Sequence, residues 1–356
     1  MKKIIVAIDS FKGCLTSAEA NQAACEGILA KMPEAKVVQV PVSDGGEGWL
    51  EAFQAAMGAS SPLTIGHLPS GRGEIVEVNV KDPLMRTIVA QYLIQGDKAV
   101  IEIAKASGLT LLSPEERNPM VATSYGTGQL IVDAVRRGCK HIIVGLGGSA
   151  TSDCGIGMLD AIHNSQFIIH NDVRFTIATD VTNPLCGEQG AAHVFAPQKG
   201  ATPEMVEALD ARAKRFAETS ARHMGRDCQN MLGAGAAGGL GYAFLQYMNA
   251  ECRSGIDLLL DTIHFDDLLQ DADLVITGEG SADRQTLMGK LPFGILQRAR
   301  KQNVPVMLIA GRIADEQLLL DAGFSHVAYI NPSGIPLEIA MQPDTAKENI
   351  RKTVRI

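Results

Sequence analysis

Residues 3–8, Lys-Ile-Ile-Val-Ala-Ile, decide the fold class. This run is short, rich in β-branched side chains and almost wholly apolar, as a parallel strand covered on both faces should be. Thr16 and Glu19 follow at capping-box spacing and predict a helix that ends near Met32. Residues 36–40, Lys-Val-Val-Gln-Val, predict the next strand. The resulting βαβ unit favours a right-handed crossover within a parallel sheet.

The middle of the chain has a different pattern. Segments 74–80, 87–95 and 98–104 alternate or cluster with a period of two, and turn residues separate them. These segments predict an antiparallel meander. We also predict strands at 141–146, 175–180 and 192–196, and helices at 124–137, from Thr202-Pro203 onward and at 236–250.

The βα pattern returns from about residue 256, with strands predicted at 274–276, 304–309 and 327–329. Because one βαβ unit cannot cover its own strands, we expect both ends of the chain to build one sheet. The sequence thus predicts an α/β fold of two domains. Residues 1–65 and 256–356 form a doubly wound parallel sheet, and 66–255 form an inserted mixed α/β domain, with the active-site cleft between the two.

Composition excludes several classes of partner. The chain has 32 Lys and Arg against 40 Asp and Glu, a net charge of -8, and no basic run, which argues against nucleic acid as a partner. No apolar run reaches the roughly 18 residues that a membrane span needs. The seven cysteines occur singly without a C-x-x-C pair. This usage predicts reduced thiols in the cytoplasm, neither a zinc site nor a disulfide framework.

Several glycine-rich polar segments follow predicted strands. In open α/β sheets, ligands bind beyond the carboxyl ends of the strands, and glycines let backbone N–H groups approach an anion. Five such segments in one chain favour a shared polar cleft over five unrelated turns. They lie at residues 9–13, 43–48, 147–153, 180–184 and 277–280.

Familiar signatures of other chemistries are missing. There is no G-x-x-x-x-G-K-[ST], no H-E-x-x-H and no G-x-S-x-G. Residues 233–238, Gly-Ala-Gly-Ala-Ala-Gly, match G-x-G-x-x-G, but residues 225–232 before them do not resemble the strand that dinucleotide binding requires. NAD-dependent oxidoreduction therefore stays only as a weak alternative, and tight packing at a helix start is the preferred interpretation.

Taken together and in order, these segments resemble the bacterial class I glycerate kinases, the glycerate 2-kinase type. The resemblance runs from residue 3 to about 310. It implies a Rossmann-like domain built from both chain ends, and an activity that phosphorylates D-glycerate to 2-phosphoglycerate with ATP and Mg²⁺. The segments that carry it are DSFKG at 9–13, SDGGEG at 43–48, TSYGTG at 123–128, GGSAT at 147–151, DVTNPLCG at 180–187, GAGAAGG at 233–239, GEG at 278–280, QT at 285–286 and GK at 289–290.

The chain departs from the family pattern in three places. Ser281-Ala282 stands where the family has Arg-Ile, Ser152-Asp153-Cys154-Gly155 replaces N-D-G-G, and the segment 159–174 is shorter than usual. These departures keep a second class open, a glycerate, organic-acid or nucleotide binding protein of the same fold with weak or no kinase activity.

Phosphoryl transfer to a small carboxylate needs alignment, charge neutralisation and a base, and these needs select the candidate residues. We expect ATP and D-glycerate as partners, with neither nucleic acid nor a membrane. The predicted catalytic residues are Asp180, Asp283 and Lys12; the predicted substrate and phosphate ligands are Ser10, Lys12, Gly45, Gly46, Gly147, Gly148, Ser149, Thr151, Asn183, Gly278, Thr286 and Lys290; the predicted Mg²⁺ ligands are Asp44 and Glu279.

Overall fold

The computed structural model describes residues 2–43, 49–57 and 73–354. Contacts divide them into two compact units, which we call the first unit (2–43, 51–57 and 256–354) and the second unit (49–50 and 73–255). The strands are β1 (Lys3–Ile8), β2 (Lys36–Gln39), β3 (Glu74–Lys81), β4 (Thr87–Gln95), β5 (Lys98–Glu102), β6 (His141–Gly145), β7 (Arg174–Ala178), β8 (Glu251–Arg253), β9 (Leu274–Ala282), β10 (Val306–Ile313) and β11 (His326–Tyr329). The helices are α1 (Ser17–Lys31), α2 (Trp49–Met57), α3 (Ala104–Ser107), α4 (Tyr125–Arg136), α5 (Ile156–Asn164), α6 (Ala191–Phe195), α7 (Pro203–Met224), α8 (Ala236–Met248), α9 (Gly255–Thr262), α10 (Phe265–Leu268), α11 (Leu291–Lys301), α12 (Glu316–Ala322), α13 (Leu337–Ala340) and α14 (Pro343–Thr353).

The sheet of the first unit has five parallel strands in the order β11-β10-β9-β1-β2. On one side β1 pairs with β9, from Ile4 opposite Leu274 to Ile8 opposite Gly278, and on the other side it pairs with β2. Residues 4–8 are at most 1% exposed. The first strand of the chain is therefore buried beside a strand from the far end, which confirms the predicted doubly wound sheet.

The start of α1 carries the predicted capping box. The Thr16 hydroxyl accepts the Glu19 N–H at 3.2 Å, and the Glu19 carboxylate accepts the Thr16 N–H at 3.0 Å. The same carboxylate meets Lys347 of α14 at 2.8 Å, and this contact, followed by those to Thr16, lowers the pKa of Glu19 to about 2. A cap of this kind stabilises a helix by about 1 kcal/mol. It also fixes the end of the loop that leaves β1.

The sheet of the second unit is mixed, with the order β3-β4-β5-β6-β7-β8. β3, β4 and β5 pair antiparallel and confirm the predicted meander, whereas β5 to β8 pair parallel. Because β6 and β7 are parallel neighbours, the segments that follow Gly145 and Ala178 leave the same edge of this sheet. Two of the predicted ligand-binding segments therefore start side by side.

Two local predictions were wrong. Residues 192–196 form helix α6 instead of a strand, because the free edge of β7 is taken by β8, and Ala192 and Ala196 pack with Val206 and Leu209 of α7. Residues 277–280 lie inside β9 rather than after a strand, since pairing with β10 continues as far as Ala282.

The described helices include none that is both long and apolar enough to cross a bilayer. All seven cysteines are free thiols.

Candidate active site

The loop after β1 is held closed by its own backbone. The Phe11 N–H donates to the Leu15 carbonyl and the Leu15 N–H donates back to Phe11, each at 2.9 Å. Gly13 at the turn has a φ of +73°, a left-handed value that favours glycine. Lys12 lies at the exposed tip and makes no hydrogen bond or ion pair with any residue that the structure describes. Its ammonium group is therefore available to an anion.

Glu279 on β9 is a buried predicted site residue of the first unit, at 7% exposure. The Thr286 hydroxyl donates to one carboxylate oxygen at 2.6 Å, and Lys290 Nζ donates to the other at 3.2 Å. Burial raises the pKa of Glu279, while Thr286 and Lys290 act in the opposite direction. Glu279 thus holds the Lys290 ammonium group in an ion pair near the end of β9.

Asp283 and Gly278 have structural duties beside this carboxylate. Asp283 Oδ1 accepts the Gln285 N–H at 2.7 Å, and the Asp283 N–H donates to the Thr286 hydroxyl at 3.0 Å, so Asp283 caps a short 3₁₀ turn. A side chain at Gly278 would put its Cβ 2.5 Å from the Ile309 carbonyl oxygen. Close strand packing therefore explains this glycine without a ligand.

A cavity of about 430 Å³ brings several predicted residues of the first unit together. It lies where the loop after β1 meets the ends of β9 and β10 and the segment 330–346. Its charged and hydroxyl-bearing lining comes from Asp9, Ser10, Lys12, Glu279, Ser281, Lys290 and Arg312. Its apolar lining comes from Phe11, Cys14, Ile330, Leu337, Ala340, Met341 and Ala346.

The position that lacks the family's arginine, Ser281, lies on this cavity. Its register partner on β10 is Arg312, which is exposed and has no partner among the described residues. Arg284, three residues further along the chain than Ser281, instead meets Asp315 at 3.4 Å. Arg312 therefore places a cation at this strand end. The sequence analysis missed it, because pairing between β9 and β10 leaves no pattern in the residues around Arg312.

In the second unit, the loop after β6 contains Gly147, Gly148, Ser149 and Thr151. Gly148 has a φ of +71°, and its carbonyl accepts the Leu109 N–H at 2.8 Å. The N–H groups of Gly147 and Gly148 have no acceptor within the described part of the chain. Successive free N–H groups at a left-handed turn form a small anion-binding concavity.

Lys199 supports this loop from beneath and was not predicted. It is only 3% exposed, and its Nζ donates to the Ser149 hydroxyl at 2.8 Å and to the Thr151 carbonyl at 2.6 Å. Burial lowers the pKa of Lys199 to about 7, and Asp153 opposes that shift. No sequence signal marks it, because its partners lie 48 to 50 residues earlier in the chain.

The residues after Thr151 continue a buried polar cluster. The hydroxyls of Thr151 and Ser152 are buried and lack a hydrogen-bond partner among the described residues. Asp153 accepts four hydrogen bonds, from the Ser124 N–H and hydroxyl at 2.8 Å each and from the Gly155 and Gly157 N–H groups at 3.1 Å each. Asp153 therefore fixes the start of α5 to α4.

The glycine-rich segment 233–239 packs against the same loop. Ala237, Gly238 and Gly239 have left-handed φ values, and a Cβ on Gly238 would lie 2.0 Å from the Thr151 carbonyl oxygen. No strand precedes the segment, since residues 225–232 are irregular. Its glycines thus serve close packing at a helix start, as preferred from sequence, and nothing here supports a dinucleotide fingerprint.

The remaining predicted residues follow β7. Asp180 is exposed and lies two residues beyond the end of the strand at Ala178. Asn183 donates from its side chain to the Gln189 carbonyl at 2.8 Å, and its own carbonyl accepts the Gly235 N–H at 2.9 Å. Asn183 thus ties this segment to residues 233–239.

Asp44, Gly45 and Gly46 lie outside the described residues. Within the described ranges, no group of three or more His, Cys, Asp or Glu side chains could hold a metal ion.

Comparisons with known proteins agree with the motifs. The model of the glycerate kinase family matches residues 4–168 and 162–356. A glycerate kinase of Haemophilus influenzae is 40% identical over 91% of this chain and 89% of that protein, and one of Bacillus subtilis is 38% identical over 99% and 96%. A protein of Escherichia coli named glycerate 2-kinase is 38% identical over 91% of this chain and 90% of its own.

A solved structure matches along nearly the whole length. It is the crystal structure of a putative glycerate kinase 2 from Salmonella typhimurium LT2, with a TM-score of 0.81, 38% identity, and coverage of 99% of this chain and 96% of that one. Matches of this extent confirm the resemblance inferred from the motifs: the chain belongs to the glycerate kinase family.

Proposed function

We propose that this protein transfers the γ-phosphoryl group of ATP to the 2-hydroxyl of D-glycerate, giving 2-phosphoglycerate and ADP. The observation that carries the proposal is the match of the family model along residues 4–356. The relative from Escherichia coli, named glycerate 2-kinase, supports the choice of hydroxyl. The free thiols of this chain fit the cytoplasm as the place of the reaction.

Phosphoryl transfer is catalysed mainly by positioning and by neutralising charge. In the first unit, Lys12, Lys290 and Arg312 surround one cavity and supply three cations to phosphate oxygens. In the second unit, the free N–H groups of Gly147 and Gly148 can donate to oxygens of an anion. The N–H groups of this loop are held in place before the ligand binds, which lowers the cost of reorganisation.

A base must accept the proton as the hydroxyl oxygen attacks the γ-phosphorus and the bond to the β-phosphate breaks. We assign this role to Asp180, which is exposed at the carboxyl end of β7 and follows a parallel strand of the sheet. Asp283 is the second choice, because its carboxylate already accepts the Gln285 N–H. An Asx-turn or cap would be the structural alternative for Asp180.

Mg²⁺ bound with ATP would neutralise phosphate charge and align the phosphates. Carboxylate oxygens suit this hard cation, and Glu279 and Asp9 line the same cavity as the three cations. Asp44 is the other proposed ligand. Glu279 also holds Lys290, so the residues fit an ion that arrives with the nucleotide better than one held by protein alone.

The test is an assay of ADP release coupled to a dehydrogenase, with saturating D-glycerate, ATP and Mg²⁺, followed by ³¹P and ¹H NMR of the product. We expect turnover above the ATPase background and a phosphate on C2. A phosphate on C3 would contradict the regiochemistry alone. Glycerate binding without turnover by folded protein would instead favour the binding-protein alternative. A change in nicotinamide absorbance without ADP release would favour an oxidoreductase.

A further inference from the structure

The cavity of the first unit has two chemically different sides. One side is mostly polar and comes from residues 9, 10 and 12 of the loop after β1 and from the ends of β9 and β10. The other side is mostly apolar and comes from α13 and its neighbours between residues 330 and 346, which also contribute Asn331. All the lining residues within the described ranges belong to the first unit.

The apolar side is unsuited to glycerate. Glycerate has three carbons, each bearing oxygen, and it offers almost no apolar surface to Leu337, Ala340 and Met341. Ligand pockets usually occupy about 300–1,000 Å³, and glycerate would leave most of the 430 Å³ here unfilled. A flat heteroaromatic ring would cover these side chains and fill the space.

Apolar side chains stay exposed at the mouth of the cavity. Leu337 is 71% exposed and Met341 is 40% exposed. The methyl group of Met341 lies toward the β1 loop, 3.6 Å from where a Cβ of Gly13 would be. Exposed apolar groups beside a polar cleft are typical of a surface that a ligand covers.

The polar side has cations without partners. Lys12 and Arg312 make no hydrogen bond or ion pair with any described residue, although both line the cavity. Among the described residues, the Lys290 ammonium group contacts Glu279 alone. Two unpaired cations on the polar side, opposite an apolar side, are complementary to a molecule with an anionic end and an aromatic end.

We infer that this cavity is the nucleotide site, with the purine ring against Leu337, Ala340 and Met341 and the phosphates toward Lys12 and Arg312. The inference rests on the proposed function for the identity of the nucleotide, ATP. It also assigns glycerate to a place outside this cavity.

The kinetic test uses three variants of the full chain. Met341→Ser and Leu337→Ser remove apolar contacts with the ring, and we expect each to raise the KM for ATP about tenfold with the KM for glycerate unchanged. Leu318→Ser is the matched control, because Leu318 lies in the same unit with the same 40% exposure as Met341 but off the cavity. An unchanged KM for ATP in both cavity variants would overturn the inference.

Photolabelling locates the ring directly. Irradiated 8-azido-ATP should label the tryptic peptide 313–347, which contains the apolar side, and unlabelled ATP should protect it. A label confined to peptide 141–174, which contains the loop after β6, would place the ring elsewhere and refute the site.

The two tests separate this inference from the proposed function. Turnover of glycerate with no label on 313–347 would contradict the nucleotide site and support the proposed kinase function. A protected label on 313–347 in a protein that does not phosphorylate glycerate would support the nucleotide site and contradict the kinase function.

Discussion

Two lysines beside glycine-rich segments differ in almost every physical respect. Lys12 in the first unit is exposed and has no partner among the described residues, whereas Lys199 in the second unit is 3% exposed and donates to Ser149 and Thr151. A lysine that binds a ligand must keep its donors free. A lysine that donates to a distant loop of the same chain, as Lys199 does, shapes that loop instead.

The free-energy balance of the two sites differs in the same way. Burying an ammonium group is costly unless it is neutralised or well hydrogen-bonded, and the lowered pKa of Lys199 records that cost. Lys12 pays no such desolvation in the free protein, so its interaction free energy is available to a ligand. The first unit therefore presents charged side-chain donors, and the second unit presents backbone N–H donors on a loop of fixed shape.

The largest expected effect tests whether the chemical step belongs to the second unit. Asp180→Asn keeps the side-chain shape and removes the charge of the proposed base. We expect kcat to fall by about 10²–10⁴-fold, or about 3–5 kcal/mol in the barrier, while the melting temperature changes little because Asp180 is exposed. Steady-state kinetics and thermal melts of the purified variant measure both quantities.

Asp160→Asn is the control for Asp180, since Asp160 is also an exposed aspartate of the second unit. An unchanged kcat in Asp180→Asn would remove Asp180 and leave Asp283 as the candidate base. A loss of about 1 kcal/mol in stability with a normal rate would mean that Asp180 caps a turn. Recovery of the rate at high Mg²⁺ would point to a metal ligand.

The second effect tests the free lysine. Lys12→Gln removes a charge that faces phosphate oxygens, and such a contact contributes about 1.5 kcal/mol, so we expect kcat/KM for ATP to fall about tenfold. The difference from the parent should shrink as salt rises from about 0.05 M to about 0.5 M, because Lys12 is exposed to screening.

Lys301→Gln is the matched control for Lys12, since Lys301 is an exposed lysine of the same unit that does not line the cavity. Equal losses in the two variants would mean that only net charge matters. That result would contradict the claim that Lys12 contacts a ligand.

The sequence predicted those elements that depend on residues close together in the chain. The strand at residues 3–8, the cap at Thr16 and the meander from residue 74 each depend on neighbours in the chain, and each was confirmed. Helix α6 was missed because its residues suit a strand and only the occupied edge of β7 excludes one.

Within the candidate site, the sequence predicted the loops but not what holds them. Lys199 and Arg312 act across 48 to 50 residues or across a strand pair, and such distances leave no periodicity or spacing to detect. Gly278 was predicted as a ligand-facing residue, and its closeness to the Ile309 carbonyl gives it a packing reason instead. A glycine in a functional motif can therefore serve the scaffold of the site.

The last effect tests the buried lysine through pH. The pKa of Lys199 is lowered from 10.5 to about 7 by burial, so between these values the unfolded chain holds a proton that the folded protein has released. Raising the pH therefore favours the folded protein, by about 1 kcal/mol per pH unit in this window, and below pH 7 this contribution to the unfolding free energy is constant.

Lys199→Met removes this pH-dependent contribution. We expect the stability of the parent to rise relative to Lys199→Met between about pH 7.5 and 9.5, measured as the difference in unfolding free energy or melting temperature at each pH. Lys301→Met should follow the parent at every pH. A difference between the parent and Lys199→Met that stays constant from pH 6 to 9.5 would mean that Lys199 keeps its charge in the folded protein. That outcome would contradict the deprotonation cost that we assign to shaping the loop.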